Sequence, residues 1–357
     1  MASKKLVHVV GTGTIGEPLI GLLASMKQPL GIDEVTFHKR TPLVTDRPKV
    51  LNLMKRGAHL AVDEAARKGF RDMGIEPAYE HHEALRQASV VIDCTPSSVG
   101  LQNKTQFYEK YRDSTLGFLA QGSEFGFGKM YARGINEKAL VRGEDQFIHI
   151  VSCNTHNLSV LVDAIALQDG GAENLLEGRF VCIRRANDIS QDGSFVPSPQ
   201  VGSHKDAQFG THHARDAYHL FATLGYKLNL YSSAMKLNSQ YMHTIWFNIR
   251  VRKPTTVEAV KARFAADERV ALTYKNTANV VFSFGRDYGH FGRILNQTVL
   301  VVSSLAVHNG TEVVGFCFTP QDGNSTLSSV AAASWFLYPD TYEERIQCLN
   351  QFIFREV

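Results

Sequence analysis

The sequence is short of cysteine, of long apolar runs and of net charge, and each shortage removes a class of protein. Five cysteines among 357 residues, at positions 94, 153, 182, 317 and 348, are odd in number and widely scattered. Such scatter excludes a disulfide scaffold or a zinc ribbon and predicts a reduced, cytoplasmic setting. No apolar stretch approaches the roughly 18 residues that span a bilayer, and the opening segment lacks the apolar core of a secretory leader. Lysine and arginine number 38 against 35 acidic residues, a net +3. That excess argues against nucleic acid or a membrane surface as partner, while leaving room for one anionic small molecule. No repeat or low-complexity tract is visible. What is present is 44% hydrophobic and 20% charged. This is the composition of a globular protein, and its length predicts two domains at roughly 100–200 residues each.

Short β-branched runs alternate with helical spacing over the first 150 residues. Strands are expected at 6–10, 34–38, 89–93, 116–119 and 147–151, with helices at 17–26, 48–68 and 102–110. Units of this size predict a parallel sheet covered on both faces. Beyond Val151 the pattern changes to a helix at 158–166 and strands at 180–185, 244–252, 280–284 and 298–306, with a polar loop over 187–210. A last apolar helix is expected at 325–337. The fold class is therefore α/β: a Rossmann-type, doubly wound dinucleotide-binding domain (1–152, with 319–357 packing back on it) and an α+β catalytic domain with a mixed sheet (153–318).

Gly11-Thr12-Gly13-Thr14-Ile15-Gly16 fits GxGxxG directly between a strand and a helix. The first glycine permits the tight turn, the second lets a pyrophosphate approach the backbone, and the third lets helix and strand pack closely. Phosphates then rest on the N–H groups of the helix start, including those of Thr14 and Ile15. The second strand ends in His38-Lys39-Arg40 with no acid, so Lys39 and Arg40 are candidates to pair with a 2′-phosphate. NADP is the expected cofactor, with NAD as the alternative.

Of the five thiols, Cys94, Cys182 and Cys317 sit in apolar strand-like surroundings that suit small core residues. Cys153 differs, lying in Ser152-Cys153-Asn154-Thr155 between a strand and a helix. A helix N-terminus favours a thiolate, and its N–H groups hold an oxyanion once sulfur attacks a carbonyl. With these residues the chain resembles the archaeal-type (class II) glyceraldehyde-3-phosphate dehydrogenases over nearly its whole length. Asp93-Cys-Thr-Pro-Ser-Ser-Val-Gly100-Leu-Gln-Asn103, Gln121-Gly122, Ile183-Arg184-Arg185-Ala186-Asn187-Asp188, Thr211-His212-His213 and Gly285-Arg286-Asp287-Tyr288-Gly289 are similar to that family's segments, in the same order.

The resemblance implies attack of Cys153 on a small phosphorylated aldehyde, oxidation to a thioester, and release by inorganic phosphate as an acyl phosphate. It implies cofactor contacts from Gln121, Gly122 and Asn324, and a homotetramer. Ser152, Asn154, Arg184, Arg185, Thr211, His212 and His213 are candidates to bind substrate or phosphate. The two adjacent arginines are expected to point to opposite faces of their strand, so that one reaches the site. The histidines have no zinc-ligand spacing, and no metal is expected.

Two departures stand out. The family's catalytic histidine falls on Tyr241, a poor base near neutrality. That leaves His243, which matches the family's second histidine, or His156, three residues after Cys153, as the base, unless the chemistry has changed. The loop 194–210 is also longer than the family's. A dehydrogenase of another aldehyde, a reductase of an activated acid, and a non-catalytic nucleotide-binding homologue are the alternatives.

Overall fold

Continuous apolar runs bounded by turns form strands buried on both faces, and the first of them, β1 (Leu6–Val10), has no residue exposed. The structure, a computed structural model, describes residues 4–188, 193, 196–320 and 322–357. Seven further strands share a sheet with β1: β2 (Glu34–His38), β3 (Ala58–Val62), β4 (Tyr79–Glu80), β5 (Val90–Asp93), β6 (Gly117–Gln121), β7 (Lys129–Tyr131) and β8 (Phe147–Ile150). The order is β4-β3-β2-β1-β5-β6-β8-β7. β1 runs parallel to both β2 and β5, so successive strands are added outward on either side of it. This is the Rossmann-like arrangement, and its switch point lies at the carboxyl ends of β1 and β5. The helices of this part are α1 (Gly16–Ser25), α2 (Arg47–Lys55), α3 (Glu64–Asp72), α4 (His81–Gln87) and α5 (Val99–Gln106).

The helix expected over 48–68 is corrected to helix, strand, helix. Gly57, at φ +95, stops α2, and the apolar run that follows pairs in parallel with β2 as β3.

The second sheet is mixed. Its strands are β9 (Leu175–Arg184), β10 (Gln200–Val201), β11 (Leu230–Lys236), β12 (His243–Val251), β13 (Val270–Thr273), β14 (Thr298–Val301), β15 (Ala306–His308) and β16 (Glu312–Thr319). They are ordered β10-β11-β9-β12-β16-β14-β13, with β15 on β16. β9 runs parallel to β11 and antiparallel to β12, and β12 runs antiparallel to β16. Inward residues of the strands, among them Phe180, Ile245 and Phe247, share a core with α6 (Cys153–Val162) and α7 (His212–Ala222). Two more helices, α8 (Val257–Ala266) and α9 (Ala278–Tyr288), complete this part.

Four expectations are corrected here. Helix α6 starts at Cys153 rather than near 158 and continues through a π turn, Asp163–Leu167. His212 and His213 open a helix rather than lying in a loop, because Ala214, Ala217, Leu220 and Phe221 give α7 a buried stripe. Residues 280–284 are helical: the run Val-Val-Phe-Ser-Phe alternates like a strand, yet Val281 and Gly285 are the buried pair, at helical spacing. The strand expected over 298–306 is interrupted by a 3₁₀ turn at Val302–Ser304. Of the long polar loop, residues 189–192, 194 and 195 lie outside the described residues.

The chain divides into two compact units. One comprises the residues up to Lys129, Leu140–Ile150 and Thr326–Cys348; the other comprises Met130–Ala139, Val151–Ser325 and Leu349–Val357. The last long helix, α10 (Gly323–Leu337), contributes to the first unit from Thr326 onward. There a Cβ on Gly117 would lie 2.2 Å from the Phe336 ring, and Tyr338 donates to the Gly31 carbonyl at 2.6 Å. Among the described residues no helix is long and apolar enough to cross a membrane.

Candidate active site

The glycine loop sits at the switch point of the first unit. Gly11 adopts φ +100, and a Cβ there would lie 2.9 Å from the Cys94 carbonyl oxygen. A Cβ on Gly16 would overlap the Gly11 carbonyl at 2.1 Å, so only glycine lets α1 start this close to β1. Over Gly13 nothing lies within 4 Å, and no side chain caps α1 at Ile15. Bare backbone at a helix start is what a pyrophosphate needs, so these residues fit a dinucleotide. The neighbouring loop is held by Asp93. Its carboxylate accepts from the Thr95 backbone N–H at 2.9 Å, from Asn103 at 2.8 Å and from the Tyr108 hydroxyl.

Lys39 and Arg40 follow β2. The Lys39 ammonium lies 2.7 Å from Asp46, while Arg40 is exposed. Burial raises the Asp46 carboxyl, but Lys39 and Lys49 outweigh it and hold the group below its usual range. Gln121 ends β6; its amide donates to Ser329, and its buried carbonyl oxygen has no partner among the described residues. Gly122 beside it adopts φ +76 with open space around it.

The cysteine centre lies wholly in the second unit. Ser152 caps α6, accepting from the Thr155 N–H at 3.3 Å, and Cys153 is the first helical residue, half-buried. The thiol is not a ready thiolate. Burial pushes it up to about 12, with the Asp322 charge adding to the rise and Arg185 opposing it. The helix start therefore does not by itself keep the sulfur ionised, which differs from the expectation. Cys182 and Cys317 are fully buried and also pushed up by burial.

A polar network fixes the first turn of α6. The Thr319 hydroxyl donates to Asn154 Oδ1 at 3.1 Å and accepts from Asn157 Nδ2 at 2.9 Å. Asn324 Nδ2 donates to the Cys153 carbonyl at 2.9 Å and to the Gln297 carbonyl at 3.2 Å. Both amide protons of Asn324 are thus directed at the chain around the cysteine, where a nicotinamide contact was expected.

The adjacent arginines do part company. Arg185 is buried and shared between Asp188 at 2.9 Å and Asp322 at 3.4 Å. Arg184, half-buried, has no ion-pair partner among the described residues, and its charge lowers the pKa of His212, His213 and His243. Thr211 immediately precedes α7 without capping it through its side chain, and its hydroxyl lies 2.6 Å from that of Ser232. His213 Nδ1 is 3.4 Å from the Ser152 hydroxyl, and the His212 and His213 rings are 3.9 Å apart. Burial lowers both imidazoles, His212 to about 4.

His243 opens β12, nearly buried, and its Nδ1 accepts the Arg185 backbone N–H at 3.1 Å. His156, fully buried, has Nδ1 3.0 Å from the Ser152 carbonyl oxygen. Tyr241, at the position of the family's histidine, is 48% exposed and lines a groove of about 570 Å³ together with Arg184, Arg185 and Phe318. Among the described residues no cluster of three histidine, cysteine or acidic side chains is arranged to hold a metal. The residues missed from sequence are Asp188 and Asp322, which neutralise Arg185. Asp322 stands out only in the structure, at φ +53 immediately before α10, while Gln321 before it lies outside the described residues.

The fold is α/β, with a Rossmann-like unit whose glycine loop fits a dinucleotide and a mixed-sheet unit with a half-buried cysteine at a helix start. No family model matches the chain. Curated relatives do. It is 26% identical over 321 residues to a glyceraldehyde-3-phosphate dehydrogenase of Metallosphaera sedula, covering 86% of this chain and 85% of the relative. It is 28% identical over 320 residues to that of Hyperthermus butylicus, covering 86% and 84%. Against that of Methanobacterium formicicum it is 27% identical over 278 residues, covering 75% and 74%. Over most of its length the chain is therefore similar to archaeal glyceraldehyde-3-phosphate dehydrogenases.

Proposed function

We propose that the protein oxidises a small phosphorylated aldehyde resembling glyceraldehyde 3-phosphate through a thioester on Cys153, released by inorganic phosphate as an acyl phosphate. The carrying observation is the placement of that thiol. It is half-buried at the first position of α6, within the field of Asp322, Arg185, Asp188 and Arg184. The first unit is the dinucleotide-binding domain and the second the catalytic domain. A bound nicotinamide ring supplies a hydride acceptor. NADP is preferred over NAD on the strength of Lys39 and Arg40 and the absence of an acid at the end of β2.

This chain's own residues supply the rest. The open backbone at Gly13 receives the pyrophosphate, and the unpartnered Gln121 carbonyl oxygen accepts from a cofactor hydroxyl or amide. Arg184, rather than the neutralised Arg185, receives the substrate phosphate or the attacking phosphate, with His212 and Thr211 beside it. Ser152 and Asn154 act mainly by holding the helix start. By the same resemblance the protein works in the cytoplasm as a homotetramer.

A second reading, another aldehyde or an activated acid as substrate, is favoured by Tyr241. An exposed phenol at the position of the family's base implies that the surroundings of the substrate have changed. One assay separates the two. Purified protein is given glyceraldehyde 3-phosphate with NADP or NAD, with and without phosphate, beside Cys153→Ser. Phosphate-dependent NADPH formation that falls at least 10³-fold in the serine variant is expected. No activity with this aldehyde turns the choice to the second reading; activity surviving in Cys153→Ser removes the thioester. Lys39→Ala and Arg40→Ala are expected to raise the KM for NADP about tenfold and to leave that for NAD nearly unchanged. Equal effects on both contradict a 2′-phosphate role.

A further inference from the structure

Helices α1 and α5 follow adjacent parallel strands, β1 and β5, and their starts differ in what they hold. Helix α1 has no side-chain cap and open space over Gly13. The start of α5 is already filled. The carboxylate of Glu124, from the turn after β6, accepts from the backbone N–H of Ser98 and, through its other oxygen, from that of Leu101 at 2.9 Å. Ser98 adopts φ +71, a left-handed conformation that serine seldom takes and that suits a concavity of backbone N–H groups around an anion. Gly100 leaves the carboxylate its room: a Cβ there would lie 3.2 Å from the carboxyl carbon and from Oε2. Glu124 itself is buried.

The same turn carries the residues at the end of β6 that face a cofactor. Glu124 follows Gln121-Gly122-Ser123. The buried carbonyl oxygen of the Gln121 side chain has no partner among the described residues, and Gly122 adopts φ +76. Gly122 is tied to β8, its N–H donating to the Ile150 carbonyl at 3.1 Å. Past Glu124 the loop meets α5 a second time, where Lys104 donates to the Phe127 carbonyl at 2.6 Å. The turn thus hangs between β8 and α5, and Glu124 is the tie to α5 that stands nearer Gln121. We propose that Glu124 is a positioning residue for the cofactor: its carboxylate is the built-in anion of the α5 start and, held there, fixes the Gln121–Gly122 turn in the form that binds a nicotinamide dinucleotide.

Charge is essential to that role. A carboxylate accepts one N–H on each of its two oxygens, whereas the glutamine isostere sets its NH₂ group against one of the two N–H donors. The negative charge also lies where the partial positive charge of a helix start favours it. With the Ser98 and Leu101 N–H groups taken, the pyrophosphate is left to the bare start of α1. The role rests on the proposed reading of the first unit as the dinucleotide-binding domain, but the capping of α5 can be measured without any cofactor.

Amide hydrogen exchange of the apoprotein, and calorimetry with NADP and NAD, decide it on the wild type, Glu124→Gln and Glu124→Ala. In the wild type the Ser98 and Leu101 amides are expected to be protected; free exchange there overturns the capping even if neither variant folds. In both variants these amides are expected to exchange about tenfold faster, and the Kd for the preferred dinucleotide to rise about tenfold, as the loss of a capping charge implies. Acetate is expected to restore both properties in Glu124→Ala, where it refills the cradle, and neither in Glu124→Gln, where the amide still occupies it. Chloride at the same ionic strength is expected to restore nothing. Restoration by chloride as well as by acetate overturns the built-in anion, and faster exchange with an unchanged Kd overturns the positioning role. If the wild type binds neither dinucleotide while exchange and acetate behave as stated, the reading of the first unit fails and takes the positioning role with it, and Glu124 remains only the cap of α5.

Discussion

Two neighbouring arginines in one strand-end dipeptide illustrate how much a residue's partners decide. Arg185 is buried against Asp322 and Asp188, so its charge is spent within the chain. Arg184 has no such partner among the described residues and remains available to an anion. The expected consequences differ in kind. Arg184→Ala raises the KM for the phosphorylated substrate or for phosphate at least tenfold and barely changes unfolding. Arg185→Ala removes one cation, beside Arg293, from the buried Asp322 carboxylate and is expected to cost about 3 kcal/mol in urea unfolding, the usual penalty for breaking one side of a buried pair. Equal and small effects in both assays would show that the two arginines are equivalent. The dipeptide was legible in the sequence, and so was the expectation that its two side chains point to different surroundings. Which of the two is neutralised within the chain was not legible, because Asp322 lies 137 residues further along.

At the scale of elements, the glycine loop and α1 were fully legible because their chemistry is local. A turn, a close approach and a helix start each demand particular residues within six positions. The structure separates the duties. Gly16→Ala forces a Cβ to 2.1 Å from the Gly11 carbonyl, so it is expected to destabilise the first unit by several kcal/mol, seen as a lower Tm. Gly13→Ala meets nothing within 4 Å, so the same melt is expected to be unchanged while cofactor affinity falls at least tenfold by calorimetry. A Gly13→Ala variant that binds cofactor normally would argue against a pyrophosphate over that residue. Elements without such local signals were read less well. β3 was absorbed into a helix because its run is five residues long with charged flanks, and α9 was taken for a strand because Val-Val-Phe-Ser-Phe satisfies both periods. Tertiary neighbours decided those cases: β2 alongside β3, and the Gly292 carbonyl against Gly285. α7 was hidden by its two leading histidines, whose polarity suggests a loop until the apolar stripe behind them is counted.

Over the whole molecule, both units bury imidazoles, and this sets how stability responds to acid. His8 and His81 in the first unit, and His213 and His243 in the second, are all held below the ordinary histidine range, with burial the main cause; His81 falls to about 3. In the first unit the rings crowd one another as well, His38 stacked on His81 at 3.8 Å and His8 at 5.4 Å from His81. In the unfolded chain each imidazole takes a proton near pH 6.5, while in the folded chain it does not. The contribution of these imidazoles is therefore constant above about pH 7.5 and is lost as pH falls through 6.5 and below. At pH 5.5 each such group costs about 1.4 kcal/mol relative to pH 7.5. Asp216 works in the opposite direction: burial lifts its carboxyl to about 6, so acidification relieves a penalty and returns about 1 kcal/mol over the same interval. Asp322 and Glu124, also raised by burial, add to that return. Carboxylates held low, such as Asp267 under Arg269, lose their contribution only at more acidic pH. The expected net result is a drop of a few kcal/mol in urea-unfolding stability between pH 7.5 and 5.5, with His8→Gln and His81→Gln each flattening the slope. A stability that rises or stays level over that range would mean that these imidazoles are already protonated in the fold.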